Sequence, residues 1–299
     1  MSLVSAIIKS GIKMNNRQLL FLTGFSYIIA IANASACTYR QNDSRLWISR
    51  CGVSATESLP LKKLFLGGKP RTSTRTPTGS NQNNSLNLSD SYISRAQFDK
   101  ANWRHINLSS STIQFADFSH SQFSFVFFSH ANFNHSKFVH QSLNYIDFSH
   151  ANINHTDMMQ STMRYINFSR ANLNHPDFSK SEINDSMFAS ANLNWLNMSF
   201  NKQKKVDYSH ANLNHVNFSH SQLAQINFSD ANLNHVDFSN ATLSQSAFGN
   251  ASLCYVNFKG SHGQEIIQSL KQAKKLCGVT LPDGKVNNTG CVDQGTKCS

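Results

Sequence analysis

The chain has 299 residues, only 14% of them charged, and a formal net charge of +11 with neutral histidines. The excess sits in the flanks, because residues 88–258 hold ten Lys and Arg against eleven Asp and Glu. A basic balance confined to the flanks argues against a nucleic-acid-binding body. No Gly-rich phosphate loop, Cys-x-x-Cys pair or Ser-His-Asp arrangement stands out to support nucleotide, zinc-ribbon or nucleophilic chemistry.

The N-terminus reads as an export signal. Lys9, Lys13 and Arg17 precede an apolar stretch from Leu19 to Ala32, and Ala34-Ser35-Ala36 then offers a small-residue cleavage site before Cys37. The stretch is short for a membrane span, so residues 1–36 are expected to be a signal peptide, starting at Met1 or Met14. The mature chain is then periplasmic or secreted and keeps no transmembrane span. A lipid anchor at Cys37 is the alternative, which Ala34 disfavours. Six cysteines remain after cleavage, Cys37, Cys51, Cys254, Cys277, Cys291 and Cys298. An even number in an exported chain points to disulfides. Residues 37–87 form the next segment. Cys37–Cys51 can close its start, and Pro70 to Asn84, with Arg71 and Arg75, reads as a basic solvated linker.

From Leu88 to Phe258 a large apolar residue recurs every five positions, and only Gln203 breaks the series. That period is neither helical nor a simple strand, so it marks a repeat. The residue two before each large one is small or β-branched, as at Ala131, Ile146 and Val216, and both slots are expected to face inward. Ala-Asn-(Phe/Ile/Leu)-Asn also recurs every twenty residues from Ala131 to Ala231. Four fives per coil explain that longer period, with coils spaced like neighbouring strands in a rod of about 40 Å. Lys202-Gln203-Lys204-Lys205 keeps the phase and is expected to bulge from one side of one coil.

Units such as Ala211-Asn212-Leu213-Asn214-His215 and Ala231-Asn232-Leu233-Asn234-His235 resemble the pentapeptide-repeat family, whose pattern is A-(D/N)-L-x-x. The resemblance covers residues 88–258. It implies an all-β fold, a right-handed quadrilateral β-helix with Leu and Phe stacked inside. It does not imply one activity. A few members mimic DNA and bind type II topoisomerases, but this array lacks their net negative charge and its leader points out of the cytoplasm.

Residues 259–299 form a C-terminal helix and tail. Residues 264–276 read as an amphipathic helix, with Ile266, Ile267, Leu270, Ala273 and Leu276 near one face. Laid over the open coil end, it would cover unpaired strand edges. The tail from Cys277 to Cys291 resembles tails that follow such arrays. Cys277–Cys291 is the favoured bridge, leaving Cys298 to meet Cys254 and pin the cap to the rod.

Twenty-residue stacking places Phe115, His135, His155, His175, Trp195, His215, His235 and Tyr255 in one column. Beside it run Asn132, Asn152, Asn172, Asn192, Asn212 and Asn232, and a second asparagine file from Asn134 to Asn234. His105, Phe125, Tyr145 and Tyr165 form another ring column. Of thirteen histidines, all but His262 occupy the last slot of a five. Such ladders stabilise a stack by themselves. They also suit a binding surface for a protein or a glycan, since rings offer apolar faces and amides offer directed hydrogen bonds. His135/His155 and His215/His235 are candidate metal pairs if their rings converge. Histidines as a class gain charge on acidification, which would make the surface pH-responsive. The expectation is a non-enzymatic exported scaffold without a cofactor, with a coil end as a candidate homodimer surface. A metal- or pH-responsive binding protein is the alternative, and a topoisomerase-binding DNA mimic comes third.

Overall fold

The computed structural model describes residues 86–96, 98, 101–263 and 265–291, with the backbone of four upstream strands, Thr38–Asn42, Arg45–Ser49, Leu59–Pro60 and Phe65–Leu66. The leader, the linker arginines and Cys37, Cys51 and Cys298 lie outside the described residues.

Short strands recur once per coil and pair in parallel with their equivalents twenty residues away. Asn132 meets Asn152, Asn152 meets Asn172, and Asn172 meets Asn192 in unshifted register. Two ladders result. The first is an 11-stranded sheet that includes Tyr92–Ser94, the Asn-X-Asn strands up to Asn232–Asn234, and Ser252–Cys254. The second is a 9-stranded sheet from Leu86–Asn87 to Thr242–Ser244. Each coil is therefore flat on two sides and joined by corners, the expected β-solenoid.

The corners explain the five-residue period. Every described fifth residue from Asp90 to Tyr255 has positive φ, between 47° and 60°, and none of them is glycine. The slot that holds twelve histidines is this left-handed corner. His, Asn and Asp tolerate that backbone better than most side chains. About a third of these corners are also tied by Asx turns: Ser149 N–H donates to Asp147 Oδ1 at 2.9 Å, and Ser179 N–H to Asp177 Oδ1 at 2.8 Å. The recurrent Asn/Asp-Phe-Ser triplet is the sequence of that turn.

Inside, the large residues stack as the period requires. Phe128, Phe148, Phe168, Phe188, Tyr208, Phe228 and Phe248 form one column at ring spacings of 4.7–5.2 Å. Each buried ring contributes about 1.5–3 kcal/mol by leaving water. In the small slot, serine hydroxyls join successive coils. Ser121 Oγ accepts from Ala101 N–H at 3.0 Å and donates to the Phe98 carbonyl at 2.8 Å.

Gln203 does not bulge. Lys202–Lys204 is a regular strand between Glu182–Asn184 and Gln222–Ala224, and Gln203 is buried in the inward slot. Its amide oxygen accepts from the Tyr208 hydroxyl at 3.0 Å. The polar intruder is thus matched by the one tyrosine in the phenylalanine column, and burial pushes the Tyr208 phenol pKa upward.

The C-terminal helix is shorter than its periodicity suggests. It spans Ile266–Leu270 and buries Ile266, Ser269 and Leu270. Lys275–Cys277 then becomes a strand on Ser252–Cys254. The last coil's edge groups decide this: Ala251 carbonyl accepts from Lys274 N–H at 2.9 Å, and Cys277 carbonyl accepts from Tyr255 N–H at 2.8 Å. Extending the helix would leave such groups unpaired. Ser269 Oγ meanwhile takes over the serine-ladder role, accepting from Phe248 N–H at 3.1 Å. Val279–Thr280 and Val286–Asn287 form an antiparallel pair, and the Cys277–Cys291 disulfide closes the tail. Cys254 is also disulfide-bonded.

Tyr208→Phe strands the buried Gln203 oxygen and should cost about 1–3 kcal/mol in urea unfolding. Gln203→Leu added to it should recover most of that loss. Equal stability of wild type and Tyr208→Phe would show that the pair contributes nothing.

Candidate functional site

On the first sheet the six rungs from Asn132–Asn134 to Asn232–Asn234 present Asn, an inward apolar residue, Asn and then the left-handed corner. In-register pairing sets each corner ring over the one below. The eight rings from Phe115 to Tyr255 form an unbroken stack, with centroid spacings from 3.8 Å at Trp195–His215 to 5.8 Å at His175–Trp195 and interplanar angles of 2–9°. Gly278 sits at its upper end, where an added Cβ would lie 2.6 Å from Tyr255 Cδ1.

The outer asparagine file is a hydrogen-bonded ladder. Asn172 Nδ2 donates to Asn152 Oδ1 at 2.8 Å, and Asn192, Asn212 and Asn232 repeat the bond at 3.1–3.2 Å. The inner file is half-buried, with Asn234 donating to Asn214 at 3.0 Å. Each laddered amide uses one N–H and one lone pair on its neighbour, leaving the others for a partner.

Stacking decides what the ring column can bind. The rings spend their faces on one another and turn their edges outward. Sugar binding by ring faces, expected from the sequence, finds no free face within the column. The edges carry the positive side of the aromatic quadrupole and suit oxygen acceptors instead. The metal pairs fare similarly. His135 and His155 lie 4.9 Å apart at 9°, and His215 and His235 lie 4.7 Å apart at 6°. Parallel planes point their nitrogens side by side, whereas convergence to a ligand distance of about 2.1 Å needs them to meet. Among the described residues no three His, Cys, Asp or Glu side chains group where a metal ion could be held.

On the second sheet His105, Phe125, Tyr145 and Tyr165 stack at 4.6–5.0 Å, and Phe127 stands exposed beside them. A further stack, Phe200 on His220 at 4.9 Å, occupies a different corner and was not read from the sequence. The Asp residues on the narrow sides serve turns. Burial raises the Asp157 pKa above the usual carboxylate value, and neighbouring Asp177 adds to the rise. Among the described residues no helix is long and apolar enough to cross a membrane.

Desolvation first, and then the neighbouring His235, lower the pKa of His215, which lies between His235 and Trp195. The folded chain therefore binds this proton more weakly than the unfolded chain. The site's contribution to stability is complete above pH about 6.5 and is lost as pH falls through the folded value. The melting temperature should drop on going from neutral to acidic buffer, and His215→Asn should shrink that drop. An unchanged pH dependence in the variant would exclude His215 as its source.

Comparison with known proteins places the whole array. The family model described as pentapeptide repeats (8 copies) matches residues 87–124, 128–164 and 166–199, and the pentapeptide repeat region model matches 201–266. HetL, a pentapeptide repeat protein involved in heterocyst differentiation regulation from the cyanobacterium Nostoc sp. strain PCC 7120, is 21% identical, with 67% of this chain and 91% of that one covered and a TM-score of 0.46. A trypsin-treated variant of QnrB1, a plasmid-mediated fluoroquinolone resistance protein, is 17% identical over 60% of this chain and 92% of that one, with a TM-score of 0.47. A pentapeptide repeat protein of the Arabidopsis thaliana thylakoid lumen is 19% identical over 46% of this chain and 79% of that one, with a TM-score of 0.24. No curated protein sequence matches the chain. The matched segments cover more than half of the residues, and the chain belongs to the pentapeptide-repeat family.

Proposed function

We propose that the chain is a non-enzymatic, exported binding scaffold that docks a protein partner on its first-sheet face. One observation carries this reading. Two asparagine files and an eight-ring column run side by side, the rings in one unbroken stack, the outer amides bonded from Asn152 to Asn232 and the inner ones from Asn194 to Asn234. Such a face is rigid before it meets anything, so little ordering cost falls on binding. Its outward chemistry is amide groups and positive ring edges, which fit backbone carbonyls and carboxylates of a partner. Export rests on the leader, with processing expected between Ala36 and Cys37. A DNA mimic needs a strongly anionic rod, and residues 88–258 are nearly neutral.

Asp occupies the corner slot at Asp185 and Asp230, so a corner-to-Asp change is compatible with the fold. His155→Asp with Trp195→Asp should abolish cross-linking of the mature chain to its co-exported partner. Tyr145→Asp on the second sheet should leave it intact, as should a chelator. Loss in chelator would favour the metal reading. Equal loss from both surface variants would remove the first-sheet face from the proposal.

A further inference from the structure

A ring face lacks a ring partner only where a corner column is broken, and one break lies beside lysines that form no ion pair among the described residues. Phe200 is stacked on His220 at 4.9 Å and 5°, so its plane lies across the rod axis. The corner twenty residues below is Lys180, so among the described residues no ring stacks on the opposite face of Phe200. Phe200 is 55% exposed. It lines a shallow cleft of about 270 Å³ with Gln160, Thr162, Lys180, Glu182 and Lys202.

Lysines outnumber acids in the cleft, Lys180 and Lys202 against Glu182. Its single acid is engaged elsewhere: Glu182 Oε1 accepts from Asn184 Nδ2 at 2.7 Å and lies 3.8 Å from Arg164. Lys180 and Lys202 form no ion pair among the described residues, and Lys204 and Lys205 continue the basic strip on the same coil as Phe200. Half of the ten cations in residues 88–258 are Arg164, Lys180, Lys202, Lys204 and Lys205, three successive rungs of one side. The same coil also departs inside, where Gln203 stands between Ile183 and Leu223 and Tyr208 between Phe188 and Phe228. Coils that arise by repetition resemble one another, and this one departs inside and out.

We propose that this cleft is a recognition site for a carboxylate-bearing sugar within an acidic polysaccharide. The apolar face of the sugar ring lies on the Phe200 face that no other ring covers, with the flexible Lys180 stem moved aside. Its carboxylate sits between the Lys180 and Lys202 ammonium groups, and Gln160 supplies an amide to a hydroxyl. A nucleic acid fits less well, because a phosphate backbone needs a long basic track. The basic strip is short, because the rungs that bound it, Ser142–Asn144 below and Gln222–Ala224 above, carry no cation. The site is independent of the first-sheet face and of its partner.

The test is calorimetric titration of the purified chain with tetragalacturonate, with a neutral glucose tetramer and an eight-residue oligothymidylate as comparators. Saturable 1:1 binding of tetragalacturonate alone is expected, weakening as salt is raised. Lys180→Gln with Lys202→Gln should reduce affinity about tenfold or more. Phe200→Asn, which copies the corner residues Asn240 and Asn250, should reduce it about fivefold, with melting temperature unchanged in both variants. Absence of saturable binding, affinity unmoved by either variant, equal binding of the neutral tetramer, or tighter binding of the oligothymidylate would each overturn the assignment.

Discussion

A left-handed backbone at every fifth residue is the constraint on which the molecule depends. For a side chain other than glycine that conformation costs about 1–2 kcal/mol. Here it is adopted from Asp90 to Tyr255 by histidine, lysine, phenylalanine and even tryptophan. A single such corner would not persist alone. It persists because each coil buries two apolar slots per five residues and hydrogen-bonds to the coils on either side, so neighbours fix what no unit could hold by itself.

The same constraint writes the surface. A corner that cannot relax stands its side chain in one direction, and exact register brings the next one over it. Rings in a file then consume their faces, as from His135 to Tyr255, and a ladder forms whose chemistry is all edge. Interruptions acquire a different character from the rest. Lys180 beneath Phe200 turns a stacking surface outward, and the Gln203–Tyr208 pair places hydrogen bonding where every neighbouring coil has hydrocarbon.

Much of this was legible in the sequence because period alone defines the coil. Leu88 to Phe258 in phase gave the inward slots, and the spacing from Ala131 to Ala231 gave four fives per coil and hence every column. Conformation within a slot was not legible. The concentration of histidine in the last slot is visible in the letters, but its origin in positive φ is a backbone property. The lysine-flanked Gln203 reads as a bulge because a buried glutamine needs a partner, and Tyr208 passes for another core aromatic. The end of the array departs from its periodicity for a similar reason. Leu270 and Leu276 suit one helix face, but the stranded edge of the last coil recruits Lys275–Cys277 as a further rung.

Leu276 lies on Leu253, and Cys277 on Cys254, each 23 residues apart where the array uses twenty. The cap thus copies the last coil's geometry while inserting a short helix, and it is written for whichever coil precedes it. Gain or loss of a whole twenty-residue unit farther down would change the rod by about 4.8 Å and leave both ends and every column intact. Length is then a trait that can drift or be selected separately from surface, and homologous rods should differ in whole coils before they differ in cap.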